Sequence, residues 1–257
     1  MKEVAAATIQ KLMNVSVATL ATALFRRNLR NQVIQDVRPV KAKGRNMVGP
    51  AFTLRYIPAR EDRNQLSVFR NPKHPQRHAV ETCPPGHVLV MDSRQDARAA
   101  SAGDILLARL MMRGCAGAVT DGGFRDAMRI GELELHAYHS RPSSPTNLTM
   151  NEAVDINVPI GCGDAPVFPG DIIVGDDDSV IVIPAHLADE VAEEAVSMTA
   201  YEEFVAEQVM AGESIIGLYP ATDEENLRKF DEWNRARKAG SPVTDNRAGD
   251  GKDLENE

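Results

Sequence analysis

At 257 residues with 43% hydrophobic side chains, the chain is long enough to bury a sizeable core. A net charge of −8 argues against nucleic acid as a partner, because phosphate contacts need a basic surface. No apolar stretch approaches the roughly 18 residues of a membrane span, and Cys83, Cys115 and Cys162 show no CxxC or Cys/His zinc spacing, so a cytoplasmic protein with reduced thiols is the plain reading.

The N-terminal run over about 3–28 has polar breaks and reads as an amphipathic helical region, not a signal peptide. A basic connector, RPVKAKGRN, leads to expected strands near 46–57 and 87–92. The loop ARAASAGD (97–104) is built of small residues. From Asp104 the pairs Leu106/Leu110 and Leu107/Met111 fall four apart, as one helix face requires, and Gly114 supplies a stop. The run AGAVTD (116–121) is consistent with a buried strand, and Gly122-Gly123 allows a tight turn. Arg125-Asp126 then opens a short helix, followed by the strand LELHAYH (133–139) and a Ser/Pro-rich loop over 140–150. Two strands, near 170–175 and 179–184, flank GDDDS. That acidic run fits a hairpin turn better than a metal loop. A long helix is expected from about 185 to 211, ending at Gly212. The charged segment 221–257 carries a possible helix around Trp233 and then a tail whose composition predicts disorder. One mixed α/β domain over 1–220 with a charged extension over 221–257 fits this order.

The chemistry concentrates in one run: Asp104, twenty intervening residues, then Arg125-Asp126. Each part alone has a plainer use. An Arg-Asp pair is usually solvated, and an aspartate at a helix start is usually a cap. Helix start, strand, glycine turn and Arg-Asp together point elsewhere. Arg125 can stabilise an oxyanion, Asp126 can hold a divalent cation, and Asp104 can return to the same place from the helix start. The backbone N–H groups there favour an anion such as a carboxylate. Arg94 and Arg98, in the loop before that helix, could meet a polar substrate tail, with solvation the simpler role. His78, His87, His136 and His139 have no shared metal spacing.

The Asp-X20-Arg-Asp signature resembles that of the RraA-like proteins, which include class II pyruvate aldolases acting on 4-hydroxy-4-methyl-2-oxoglutarate and 4-carboxy-4-hydroxy-2-oxoadipate. RNMVGPAFTLRY (45–56), PPGHVLVMD (84–92) and FPGDIIVGDDDSVIVIP (168–184) are similar to family blocks in the same order, so the likeness covers about 15–220. The chain departs at Thr22-Ala23, where many members have Asp-Ala, and at Ser179, where glycine is usual. The segment 140–150 and the tail after 220 are not general to the family, which bears on the substrate's distal half.

The resemblance implies a single-domain swivelling β/β/α sandwich and a homotrimer or hexamer with sites at subunit interfaces. It implies a retro-aldol cleavage of a 2-oxo acid that depends on Mg²⁺ or Mn²⁺ and releases pyruvate. Asp126 would ligate the ion, while N–H groups of Gly103, Asp104, Ile105 and Leu106 hold the substrate carboxylate. Arg125 would stabilise the enolate, and Asp104 would position or deprotonate a water. Glu202 or Glu203 would reach the metal's waters from a neighbouring subunit. Oxaloacetate decarboxylation is an expected side activity through the same enolate. Two other readings are an aldolase or dehydratase for a sugar-derived 2-keto-3-deoxy acid, and a non-catalytic regulator of an endoribonuclease.

Overall fold

The structure, a computed structural model, describes residues 4–240. The tail expected to be disordered lies outside the described residues except for Gly240. Two compact units are present, Met1–Thr199 and Ala200–Glu257.

The larger unit is built on a mixed nine-stranded sheet. Its centre is the long strand Met47–Pro58, which pairs in parallel with Val88–Asp92. That strand in turn pairs in parallel with Gly117–Thr120, and Gly117–Thr120 with His136–His139. Val88–Asp92 and Gly117–Thr120 are largely apolar and buried along nearly their whole length, as strands covered on both faces must be. On the other side of Met47–Pro58 lies the antiparallel hairpin Ile172–Gly175 and Val180–Ile183. Its GDDDS connection is a turn, since Asp176 Oδ1 accepts the N–H groups of Asp178 (3.0 Å) and Ser179 (2.9 Å).

Helices cover the sheet in two sets. Asp104–Met112 and Pro75–Thr82 contribute Leu107, Leu110, Ala79 and Val80 to a core around Leu54, Leu89 and Phe124. The N-terminal helices and the start of the long helix Ala188–Met210 close over Ile172, Val174, Ile181 and Ile183. The expected helix over 3–28 is two, Ala6–Leu12 and Val17–Arg26. Ser16 has an extended backbone and its Oγ accepts the Thr19 N–H at 3.1 Å, so it caps a new helix instead of continuing the old one. The sequence reading also passed over the helix Pro75–Thr82 and the strand Asn151–Ile156, which adds antiparallel to the far half of Met47–Pro58.

The smaller unit has its own aromatic centre. Phe204 packs at 5.7 Å from Phe230 and 5.8 Å from Trp233, with Tyr201 against Phe230 at 5.0 Å. The helix expected around Trp233 runs from Glu224 to Gly240. That cluster gives residues from 200 onward a core apart from the sheet, so the compact units divide after Thr199 and not at 220. Among the described residues no helix is long and apolar enough to cross a membrane.

Buried histidines contribute to the acid response of the sheet. His139, only 7% exposed, stacks on Phe124 at 5.7 Å, and burial pushes its imidazole down to about 4. Burial does the same to His136. The unfolded chain takes these protons near pH 6.5, so their contribution to stability is whole above that value and is lost as pH falls through about 4. Urea unfolding midpoints at pH 7 and pH 4.5 are expected to differ less for His139→Phe than for the wild type. Equal losses in the two proteins would contradict this assignment.

Candidate functional site

The parallel strands all point their C-terminal ends the same way, and the candidate site lies just beyond those ends. That is where open α/β sheets leave a crevice for ligands. Three short segments continue the strands there as a small parallel sheet: Ala100–Ala102, Gly123–Phe124 and Arg141–Pro142. The Arg125 N–H donates to the Ala102 carbonyl at 3.1 Å, which draws the Arg-Asp pair against the start of the 104–112 helix.

The small residues of the 97–104 loop have a packing reason. Ser101 Oγ lies 2.7 Å from both Ser93 Oγ and Thr120 Oγ1, a buried hydroxyl floor beneath the glycine turn. A Cβ on Gly122 would meet that floor 2.7 Å from Ser93 Cβ. Asp121, 2% exposed, ties three loops together by accepting N–H groups from Ser93 (2.6 Å), Gln95 (3.0 Å) and Gly163 (3.1 Å). Burial pushes its carboxyl up to about 6 against those hydrogen bonds. No sequence signal marked this role, because the donors come from segments far apart in the chain.

Arg125 and Asp126 are held in an unusual way. Asp126 has a left-handed backbone, φ 57° and ψ 38°, which costs an L-residue about 1–2 kcal/mol. It stands at the N-terminus of the helix Ala127–Glu132 but makes no capping hydrogen bond. Its Oδ2 instead accepts from Arg125 Nε at 3.1 Å. The Arg125 side chain lies over Gly103: a Cβ there would be 2.7 Å from Arg125 Cγ and 3.4 Å from Asp126 Oδ2.

Asp104 opens the facing helix, with Oδ1 accepting the Ile105 N–H at 2.9 Å and Oδ2 near Arg129 Nη1 at 3.4 Å. The expected carboxylate cradle at 103–106 is narrower than four donors. The Ile105 N–H serves Asp104, and the Leu106 N–H bonds the Gly103 carbonyl at 3.1 Å. Those of Gly103 and Asp104 remain at the helix start, without intrahelical acceptors.

All six of these positions, Gly103, Asp104, Ile105, Leu106, Arg125 and Asp126, line one cleft of about 440 Å³, a size that suits a small-molecule site. Among the described residues no lysine lines it. Arg94 and Arg98 do not reach it: Arg94 donates to Asn151 Oδ1 at 2.8 Å, and Arg98 pairs with Asp96 at 2.7 Å. Glu202 and Glu203 belong to the smaller unit, where Tyr219 Oη donates to Glu202 at 3.4 Å and Glu203 pairs with Arg237. The cleft also contains Gln76 and Arg77, which the sequence reading missed. Their only sequence signal was Pro75, a helix-starting proline at the first turn.

The family model for RraA-like proteins, described as Aldolase/RraA, matches residues 17–182. The chain belongs to this family. A Halalkalibacterium halodurans relative, provisionally named a 4-hydroxy-4-methyl-2-oxoglutarate aldolase, is 33% identical over 169 residues, covering 64% of this chain and 74% of the relative. Protein DlpA of Legionella pneumophila is 23% identical over 207 residues, and the match spans 80% of this chain but only 32% of DlpA. Among solved structures, Streptomyces coelicolor RraAS2, described as an unusual member of the RNase ES inhibitor RraA protein family, matches with a TM-score of 0.69 and 28% identity. That match covers 79% of this chain and 98% of RraAS2. An uncharacterized Pseudomonas syringae protein shares the fold, with a TM-score of 0.73 and 21% identity over 85% of this chain and 95% of its own. The α/β fold of this RraA-like protein is thus the one the sequence implied.

Gly103 makes the site geometry testable by itself. Its backbone is extended, φ −130°, so alanine meets no torsional penalty there. A crystal structure of Gly103→Ala is expected to show the Arg125 side chain displaced from the helix start, with stability changed by less than about 1 kcal/mol, because the Arg125 side chain it meets is exposed and can move. An unmoved Arg125 would contradict the packing argument.

Proposed function

We propose that the protein is a divalent-metal-dependent aldolase that cleaves a 4-hydroxy-2-oxo acid and releases pyruvate. The observation that carries this is the convergence of Asp104, Arg125 and Asp126 on one cleft that, among the described residues, no lysine lines. A Schiff-base route needs such a lysine. The name of the Halalkalibacterium relative agrees with this reading.

The donor set fits a hard cation. Asp126 offers a carboxylate with one oxygen already bonded to Arg125. Among the described residues no group of three or more His, Cys, Asp or Glu is placed to hold a metal. One carboxylate suits Mg²⁺ or Mn²⁺, which keep most of their waters, and does not suit an all-protein cage. A bound ion would supply Lewis acidity at the carboxylate and keto oxygens of the 2-oxo acid.

The chain's own residues do the rest. The free N–H groups of Gly103 and Asp104 orient the substrate carboxylate. The 4-hydroxyl gives up its proton, directly or through water, to Asp104. The C3–C4 bond breaks, C4 becomes a carbonyl, and the electron pair forms the C2–C3 double bond of an enolate. Arg125 donates to the enolate oxygen, an interaction worth about 3 kcal/mol by comparison with oxyanion-hole donors. Protonation at C3 then gives pyruvate. Oxaloacetate loses CO₂ through the same enolate, which makes decarboxylation the natural side reaction. Trimeric or hexameric assembly, with Glu202 or Glu203 of a neighbouring copy near the ion, belongs to the same proposal.

Treatment with EDTA is expected to abolish pyruvate release, and Mg²⁺ or Mn²⁺ to restore it. Full activity without metal, or inactivation by borohydride with substrate, would point to an imine route instead.

Arg125→Lys keeps the charge but loses the planar fork. It is expected to lower kcat on the order of 10²-fold for aldol cleavage and for oxaloacetate decarboxylation alike. Unequal losses would mean that the two reactions do not share an enolate. The description of RraAS2 favours a second reading, regulation of a ribonuclease. A wild-type protein that processes no 2-oxo acid yet binds such an enzyme tightly would establish it.

A further inference from the structure

We infer that Cys83 and Cys115 are a redox site: a hydroperoxide oxidises them to a reversible disulfide, which ties the end of the helix Pro75–Thr82 to the segment after the helix Asp104–Met112. Both thiols are free in the structure, and neither lines the candidate cleft.

The pair sits at the far ends of two helices that wall the cleft. Cys83 closes Pro75–Thr82, whose first turn brings Gln76 and Arg77 to the cleft, and Cys115 follows the glycine stop of Asp104–Met112. Both side chains turn toward one carbonyl. Cys115 Sγ lies 3.7 Å from the Pro84 oxygen and Cys83 Sγ 4.0 Å from the same atom, and a hydrogen bond joins the two thiols. Cys83 is fully buried, whereas Cys115 is 8% exposed, so a small oxidant reaches Cys115 first.

The two thiols divide the work that peroxide chemistry needs. The Cys83 thiol donates to the Cys115 sulfur, which draws the Cys115 thiol below its ordinary range; burial opposes this and the Arg113 guanidinium adds to it. Arg113 is anchored there by a hydrogen bond from Nη2 to the Cys83 carbonyl at 3.3 Å. The thiolate is the nucleophilic form. The Cys115 thiolate attacks one peroxide oxygen, the O–O bond breaks, and the departing alkoxide takes up a proton, leaving a sulfenic acid on Cys115. The Cys83 sulfur then attacks the Cys115 sulfur. The S–S bond forms, the S–O bond breaks, and water departs with the Cys83 proton. Two thiols are oxidised and one peroxide is reduced, and a dithiol restores both thiols by exchange. Cys162 stands outside this chemistry. It is fully buried in a different core cluster, and burial, with Asp121 and Asp92 nearby, holds its proton in place.

The test treats the intact protein with hydrogen peroxide, digests it under non-reducing conditions and maps the peptides by mass spectrometry. The Cys83 and Cys115 peptides are expected to appear joined, lighter by two hydrogens than the separate pair, with Cys162 still free, and dithiothreitol should part them. In Cys83→Ser no thiol resolves the sulfenic acid, so dimedone should label Cys115. In Cys115→Ser it should leave Cys83 unlabelled. Circular dichroism confirms that each variant is folded. The linked residues stand 32 apart in sequence, so the bond restricts the unfolded chain and should raise the melting temperature by roughly 5 °C or more, reversibly. Peptides that stay unlinked, a bond to Cys162, or dimedone on Cys83 in place of Cys115 would overturn the assignment, as would an oxidised protein that melts no higher than the reduced one.

Discussion

The site depends on one close approach: the Arg125 side chain lies directly over Gly103, where any Cβ would sit 2.7 Å from Arg125 Cγ. Two strand-end loops meet there, joined by the hydrogen bond from Arg125 N–H to the Ala102 carbonyl. The approach brings the Arg125–Asp126 pair against a helix start with free backbone N–H groups. Asp126 takes a left-handed backbone in doing so, and its carboxylate pairs with the neighbouring guanidinium instead of capping its own helix. A conformation that costs energy and leaves the next helix uncapped is better explained by a ligand site than by stability.

Beneath that contact the core turns polar. Elsewhere the inner strands bury valine, leucine and isoleucine, but under the glycine turn the floor is Ser93, Ser101 and Thr120, with Asp121 beside it. Loops crossing the end of a sheet carry backbone N–H groups that need acceptors. Asp121 satisfies three of them at once. Its raised proton affinity shows the desolvation that this arrangement entails. The result is a rigid platform of short side chains on which Arg125, Asp126 and the 104–112 helix start are fixed.

Sequence legibility followed the range of the interactions. The helix from Asp104 and the buried strand before Gly122 are local patterns, with apolar residues at helical spacing and glycine as punctuation, and both are present. The break at Ser16 was harder to see, because the cap sits between two apolar runs that share a period. The helix Pro75–Thr82 buries only Gln76, Ala79 and Val80, too few to mark a face, so Arg77 and Gln76 were not connected with the site. Asp121 stayed silent for a different reason: its donors lie 26 to 42 residues away. The aromatic pattern Tyr201, Phe204, Phe230 and Trp233 spans a loop and two helices, and only the folded chain gathers it into a separate core.

On the proposed function, this cleft stabilises the enolate of pyruvate. By microscopic reversibility, a site that forms the enolate by cleavage must also form it from pyruvate. The most direct measurement is the rate at which the methyl protons of pyruvate exchange for deuterium in D₂O with Mg²⁺, followed by proton NMR. Exchange well above the rate with Mg²⁺ alone is expected in the presence of wild-type protein, and a return to that background with Arg125→Lys. Wild-type protein that leaves the exchange rate at background would contradict it.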